Sequence, residues 1–124
     1  MTFKAVNVPS DAGLRALLED AALHSASHAV TQGLRTLANT AARSPQEGAH
    51  TAQLPAPVAP AVGHDLLRAL KRARESGHPA ADSLSAFVAS RFGAADMTRL
   101  ARSQGTPEGG ELAAFAEQEF GVTA

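Results

Sequence analysis

Residues 44–62 read "SPQEGAHTAQLPAPVAPAV", and the reading of this stretch decides the architecture. It holds four prolines, one charge and no apolar period. Proline removes a backbone donor and fixes φ, so a helix is not expected here. The "LPAPVAP" part is expected to run as a stiff polyproline-II-like spacer, about 3.1 Å per residue. A Pro/Ala-rich linker over 44–62 then separates an N-terminal helical arm, residues 1–43, from a C-terminal helical unit, residues 63–124.

Working outward, composition sets the fold class. The 124 residues suit one small domain, or a compact unit with an appended arm. There are 28 alanines against 27 residues of Leu, Val, Phe and Met together, with no Ile, Trp or Tyr. Alanine and leucine favour helices that approach closely, and the β-branched and aromatic residues that strands want are scarce. The expectation is all-α. Cysteine is absent, which excludes disulfides, thiolate metal sites and a cysteine nucleophile. No apolar run approaches membrane-spanning length, and "MTFKAVNVPS" lacks the features of a signal peptide. No membrane partner is expected, and a cytoplasmic location is the default.

N-terminal to the spacer, "TFKAVNV" at 2–8 reads as a short extended segment. Pro9-Ser10-Asp11 reads as a helix start, with Ser10 as N-cap. From there to Arg43 only Gly33 interrupts a helical pattern. At about 100° per residue, Leu14, Leu17, Leu18, Ala21 and Ala22 form one stripe. Leu23, Ala26, Val30, Leu34, Leu37 and Ala41 form a second, on another side. Either one straight helix touches different partners along its length, or it breaks at "LHSASH", where two serines can bond backbone. The second stripe approximates a short heptad seam. It predicts a homodimer, or docking of a protein partner, through Leu23, Val30, Leu34 and Leu37.

C-terminal to the spacer, glycines and prolines mark about four short helices. They are expected over about 64–76, stopped by Gly77, and over 79–92, stopped by Gly93. The third runs over 94–104, and the last over 107–120, opened by Thr106 as N-cap and Pro107.

Three constellations bear on function. Asp20, His24 and His28 fall at steps of four, one column on a helix, and imidazole with carboxylate suits a borderline metal. Further ligands would be needed, and His50, His64 and His78 are available only as histidines. The same column also reads as a packing seam where the helix changes partners, or as a pH-sensitive contact.

The second is basic. Residues 63–104 carry seven positive and four negative charges, followed by four Glu and no base over 105–124. Arg68, Lys71 and Arg72 share one helix face and could grip phosphate. Asp65 and Glu75 stand at ion-pair spacing to them. The third is "AFVASRFGAADMTRLARSQG", at 86–105. Ala89 and Gly93 have the spacing of a helix-turn-helix turn. The following helix would offer Asp96, Thr98, Arg99 and Arg102 to a groove, with Arg91 beside it. It resembles that motif loosely, because Arg99 stands where an apolar residue is expected.

An enzyme is not expected. Asp20, His24 and Ser27 contain triad residue types, but one helix cannot converge them on a substrate. Arg72 and His78 straddle a helix end at Gly77. "GTPEGGEL" reads as a turn and cap, not a phosphate loop, and no cofactor is expected. The leading expectation is a small interaction or adaptor protein. The alternatives are a DNA-binding regulator using Arg68, Lys71, Arg72, Arg91, Arg99 and Arg102, and a metal- or pH-responsive protein using Asp20, His24 and His28.

Overall fold

The computed structural model describes residues 2–25, 27–42 and 50–121. Strand β1 is Phe3–Val8, followed by helices α1, Ala12–Leu23, and α2, His28–Ala41. Strand β2 is His50–Pro55, and α3 is Ala59–Ser76. Helix α4, Ala81–Val88, passes through one π-helical turn, Ala89–Gly93, into α5, Ala94–Ser103. Helix α6 is Pro107–Phe120. The protein is mostly helical, as its composition requires, with one two-stranded sheet added.

That sheet corrects the reading of 44–62 as a linker. Residues 50–55 are a strand, antiparallel to β1, with Val6 opposite Ala52 and Lys4 opposite Leu54. The first turn of α3 takes 59–62. Ala52 and Leu54 alternate inward with Val6 and Val8, which is period-two patterning with small residues. Two of the prolines fit without cost. Pro55 closes the strand and Pro60 lies in the first turn of α3, where its missing N–H has no helical partner to lose. A two-stranded sheet is marginal alone, and this one is held by packing its inner face on α2. Residues 44–49 lie outside the described residues.

The break expected at "LHSASH" is present. Helix α1 ends at Leu23 and α2 starts at His28. Ser27 is extended, and its side chain accepts a bond from the Val30 N–H at 3.5 Å. Its carbonyl takes the Thr31 hydroxyl at 2.8 Å. Ser27 thus supplies the groups that start the second helix. At the start of α1 the cap is Asp11, not Ser10: its carboxylate accepts from the Leu14 N–H at 3.1 Å. Asp11 is the last residue with extended backbone before the helix begins.

The first stripe and the α2 part of the second are buried. Leu14, Leu17, Leu18, Ala21 and Ala22 go inward from α1, and Val30, Leu34, Leu37 and Ala41 from α2. They join one contiguous core that continues through Leu54, Val62, Leu66, Leu67 and Leu70 to Leu84, Leu112 and Ala116. Arm and C-terminal helices therefore share a core. Gly33 marks the close approach of α2 to α3. A Cβ there would stand 3.0 Å from a Val62 methyl and 3.4 Å from Leu54.

Helix α3 is the centre of the fold, touching α1, α2, α4, α5 and α6. Its buried residues, Val62, Gly63, Leu66, Leu67, Ala69, Leu70 and Ala73, span roughly half the helix circumference. Gly77 ends it at φ 69°, the left-handed region that glycine enters without a Cβ penalty. The expected helix over 79–92 is shorter, starting at Ala81 and giving way to the π turn after Val88. Gly93, at φ 82°, lets the chain turn from that wide turn into α5. The last helix matches its expected bounds, with the Thr106 hydroxyl accepting from the Gly109 N–H at 3.0 Å.

One polar cluster ties the helix ends. Arg74 on α3 donates to Glu119 on α6, at 2.6 Å from Nη2, and to Asp82 on α4, at 2.8 Å from Nη1. Ser85 donates to the same Glu119 carboxylate at 2.8 Å. The Arg74 hydrogen bonds hold the Glu119 carboxyl below its ordinary value, against the opposing effect of burial. A depressed folded-state value contributes stability that is present above the unfolded value and is lost as pH falls through the folded one. Urea midpoints are therefore expected to fall below about pH 4.5. Glu119→Gln should cost roughly 1–2 kcal/mol at neutral pH and flatten that acid decline. An acid decline of unchanged steepness in the variant would assign the effect to other carboxylates.

Candidate functional site

A grouping of polar side chains around an open cleft lies between α1 and α3. Helix geometry places Ala16, Asp20 and His24 on one flank of α1, and Arg72 and Ser76 on the facing flank of α3. His78 follows just after the Gly77 cap. Together with Leu17 and Ala73 these line an open cleft of about 420 Å³. Arg72 Nη2 reaches Asp20 Oδ2 at 3.2 Å across the cleft, and Arg72 Nε is buried without a hydrogen-bond partner. His24 Nδ1 is 2.8 Å from the Asp20 carbonyl oxygen and 3.5 Å from its carboxylate. His78 Nδ1 accepts from the Ala80 N–H at 3.0 Å. The Ser76 hydroxyl donates to the Ala73 carbonyl at 3.2 Å.

The expected Asp20–His24–His28 column is only partly realised. Asp20 and His24 stay together, but the chain break puts His28 at the first position of α2, on a different helix. The column assumed one continuous helix, and the serine cap removes that premise. Among the described residues no three His, Asp or Glu side chains gather at metal-binding distance.

The seam residues are divided in the same way. Val30 is 6% exposed, and Leu34 and Leu37 are 0%. These three are covered by the chain's own β2, α3 and α1 and present no surface to an outside partner. Leu23 alone remains outside, 79% exposed at the end of α1. It forms one wall of a hollow of about 290 Å³ between α1 and α2, whose other walls are Glu19, Ala22, Arg35, Ala38 and Asn39.

The basic residues are placed against acceptors. Arg68 meets Glu108 at 2.8 Å and Asp65 at 3.5 Å, and Lys71 meets Glu75 at 3.1 Å. Arg99 pairs with Asp96, and Arg102 reaches across to Glu117 on α6. Arg91 Nε donates to the Asn7 carbonyl at 2.8 Å, fastening the π turn to β1. Thr98, expected to face a groove, is 2% exposed. The groove between α3 and α6 is lined by Arg68, Lys71 and Arg72 but also by Glu75, Glu108 and Glu111. The acidic C-terminal helix thus balances the basic middle of the sequence. His64, on the same part of α3, is partly buried. Burial lowers its value first, and the nearby Asp65 opposes this.

The sequence brought forward Asp20 and His24 as one column and Arg72 for a different reason. What it did not show is that they meet, 52 positions apart, with His78. The only local signal was the left-handed glycine at 77, which turns His78 back toward its own helix. No helix among the described residues is long and apolar enough to cross a membrane. No protein-family model, curated protein or solved structure matches the chain.

Proposed function

We propose that this is a small non-enzymatic interaction protein that associates with a second copy of itself through the outer face of α1 and α2. The observation that carries the reading is Leu23, a large apolar side chain left 79% exposed beside a small-residue hollow. Knob and hollow on one patch are self-complementary under a two-fold axis, where each Leu23 would fill the other copy's hollow. Glu19 and Arg35 wall that hollow with opposite charges, so a two-fold pairing can set unlike charges together. The contact is small, so a weak, concentration-dependent dimer is expected.

Sedimentation or light scattering over a concentration series tests this. The natural protein should approach dimer mass at high micromolar concentration, and Leu23→Glu should remain monomeric with an unchanged melt. Monomer mass for the natural protein across that range would end the reading. DNA binding is less favoured, because each of the six basic residues proposed for it already has an acceptor nearby.

A further inference from the structure

The α1–α3 cleft has one wall of acceptors and one wall of donors. From this arrangement we infer that it binds a zwitterionic ligand, an α-amino acid with a small apolar side chain. The α1 wall presents the Asp20 carboxylate and His24. A carbonyl oxygen only accepts, so the 2.8 Å contact to the Asp20 carbonyl places the His24 proton on Nδ1. In the neutral ring Nε2 is then an acceptor. The α3 wall presents Arg72 and His78. The Ala80 N–H occupies the His78 Nδ1 lone pair, so the neutral ring carries its proton on Nε2 and donates there. Backbone contacts thus fix the two imidazoles in opposite tautomers.

Arg72 keeps donors in reserve. Its contact with Asp20 uses a single terminal nitrogen, Nη2, at 3.2 Å, which leaves the other terminal nitrogen, Nη1, without a side-chain acceptor among the described residues, while Nε is buried. Guanidinium binds carboxylate best through two parallel bonds, and that capacity is unused here. Because Asp20 offsets Arg72, the cleft favours neither a bare anion nor a bare cation. It favours a ligand carrying both charges, with its carboxylate toward Arg72 and His78 and its ammonium toward Asp20 and His24 Nε2. Ala16, Leu17 and Ala73 leave an apolar floor for a small side chain. The cleft's volume of about 420 Å³ lies within the usual range for small-ligand sites. The inference stands independently of self-association, which uses the hollow on the α2 side of α1.

The test is a titration of the ¹⁵N-labelled full chain, following the ring nitrogens of His24 and His78. L-alanine should give saturable shifts at both rings. N-acetyl-L-alanine, L-alaninamide and the doubly blocked amide should each bind at least about tenfold more weakly. Asp20→Asn and Arg72→Gln should each lose about tenfold or more in affinity. Their ion pair is a single contact between side chains that are each more than a third exposed, so both should keep the natural melt. His78→Gln leaves that pair intact and should also weaken binding. The inference is overturned if L-alanine shifts neither ring at high millimolar concentration. It is equally overturned if a singly charged or blocked analogue binds as well as L-alanine, or if the folded variants bind like the natural protein.

Discussion

Leu34→Ala should remove about 2–5 kcal/mol of stability, read as a fall in the urea midpoint at constant slope. Leu34 is 0% exposed, and the α2–α3 crossing beside it is close enough that a Cβ on Gly33 would stand 3.0 Å from a Val62 methyl. Truncation would leave a cavity that rigid neighbours cannot refill, so the transfer and cavity terms add. Small domains hold only about 5–15 kcal/mol in total, and the loss would bring this one near the edge of unfolding. The contrast with Leu23→Ala is informative. Both leucines belong to one sequence stripe, yet Leu23→Ala should change the monomer's stability by less than about 0.5 kcal/mol. If Leu34→Ala leaves the monomer's midpoint in place and abolishes self-association instead, the stripe is an external interface and the packing described above is wrong.

Helical punctuation was the most legible part of the sequence. Thr106 with Pro107, Gly77 after the α3 face, and the serines between α1 and α2 each act through bonds within four residues, and such bonds can be read locally. The burial of the α1 stripe and of the α2 part of the second stripe was legible as a need and not as a partner. A period of 3.6 says that Val30, Leu34 and Leu37 must be covered, and nothing in it says by what. One covering element, β2, was hidden in 44–62. There Ala52 and Leu54 are too few to announce a strand, and four prolines argue for an extended spacer. What makes that segment a strand is β1, more than forty residues earlier, whose Val6 and Val8 complete the inner face. The cleft shows the same limit. Asp20 and Arg72 are ordinary surface residues on their own helices, and their pairing depends on how α1 packs on α3.

Residues 63–124 prepared alone should lack a cooperative unfolding transition, even though they contain most of α3 and all of α4 to α6. Buried residues of α3 span roughly half its circumference, and α1 and α2 supply part of the cover. Cutting at Val62 also removes the first turn of α3 and leaves Leu66, Leu67 and Leu70 partly open to water. Each such side chain loses about 1.5–3 kcal/mol of burial when exposed. Two or three of them are comparable to the lower end of the stability of a small domain. Circular dichroism should therefore show residual helix that melts gradually with heat, and an apolar dye should bind the fragment and not the full chain. A sharp transition in the fragment, with no dye binding, would mean that the C-terminal helices close their own core. The N-terminal half would then be the separable arm that the proline-rich stretch first suggests.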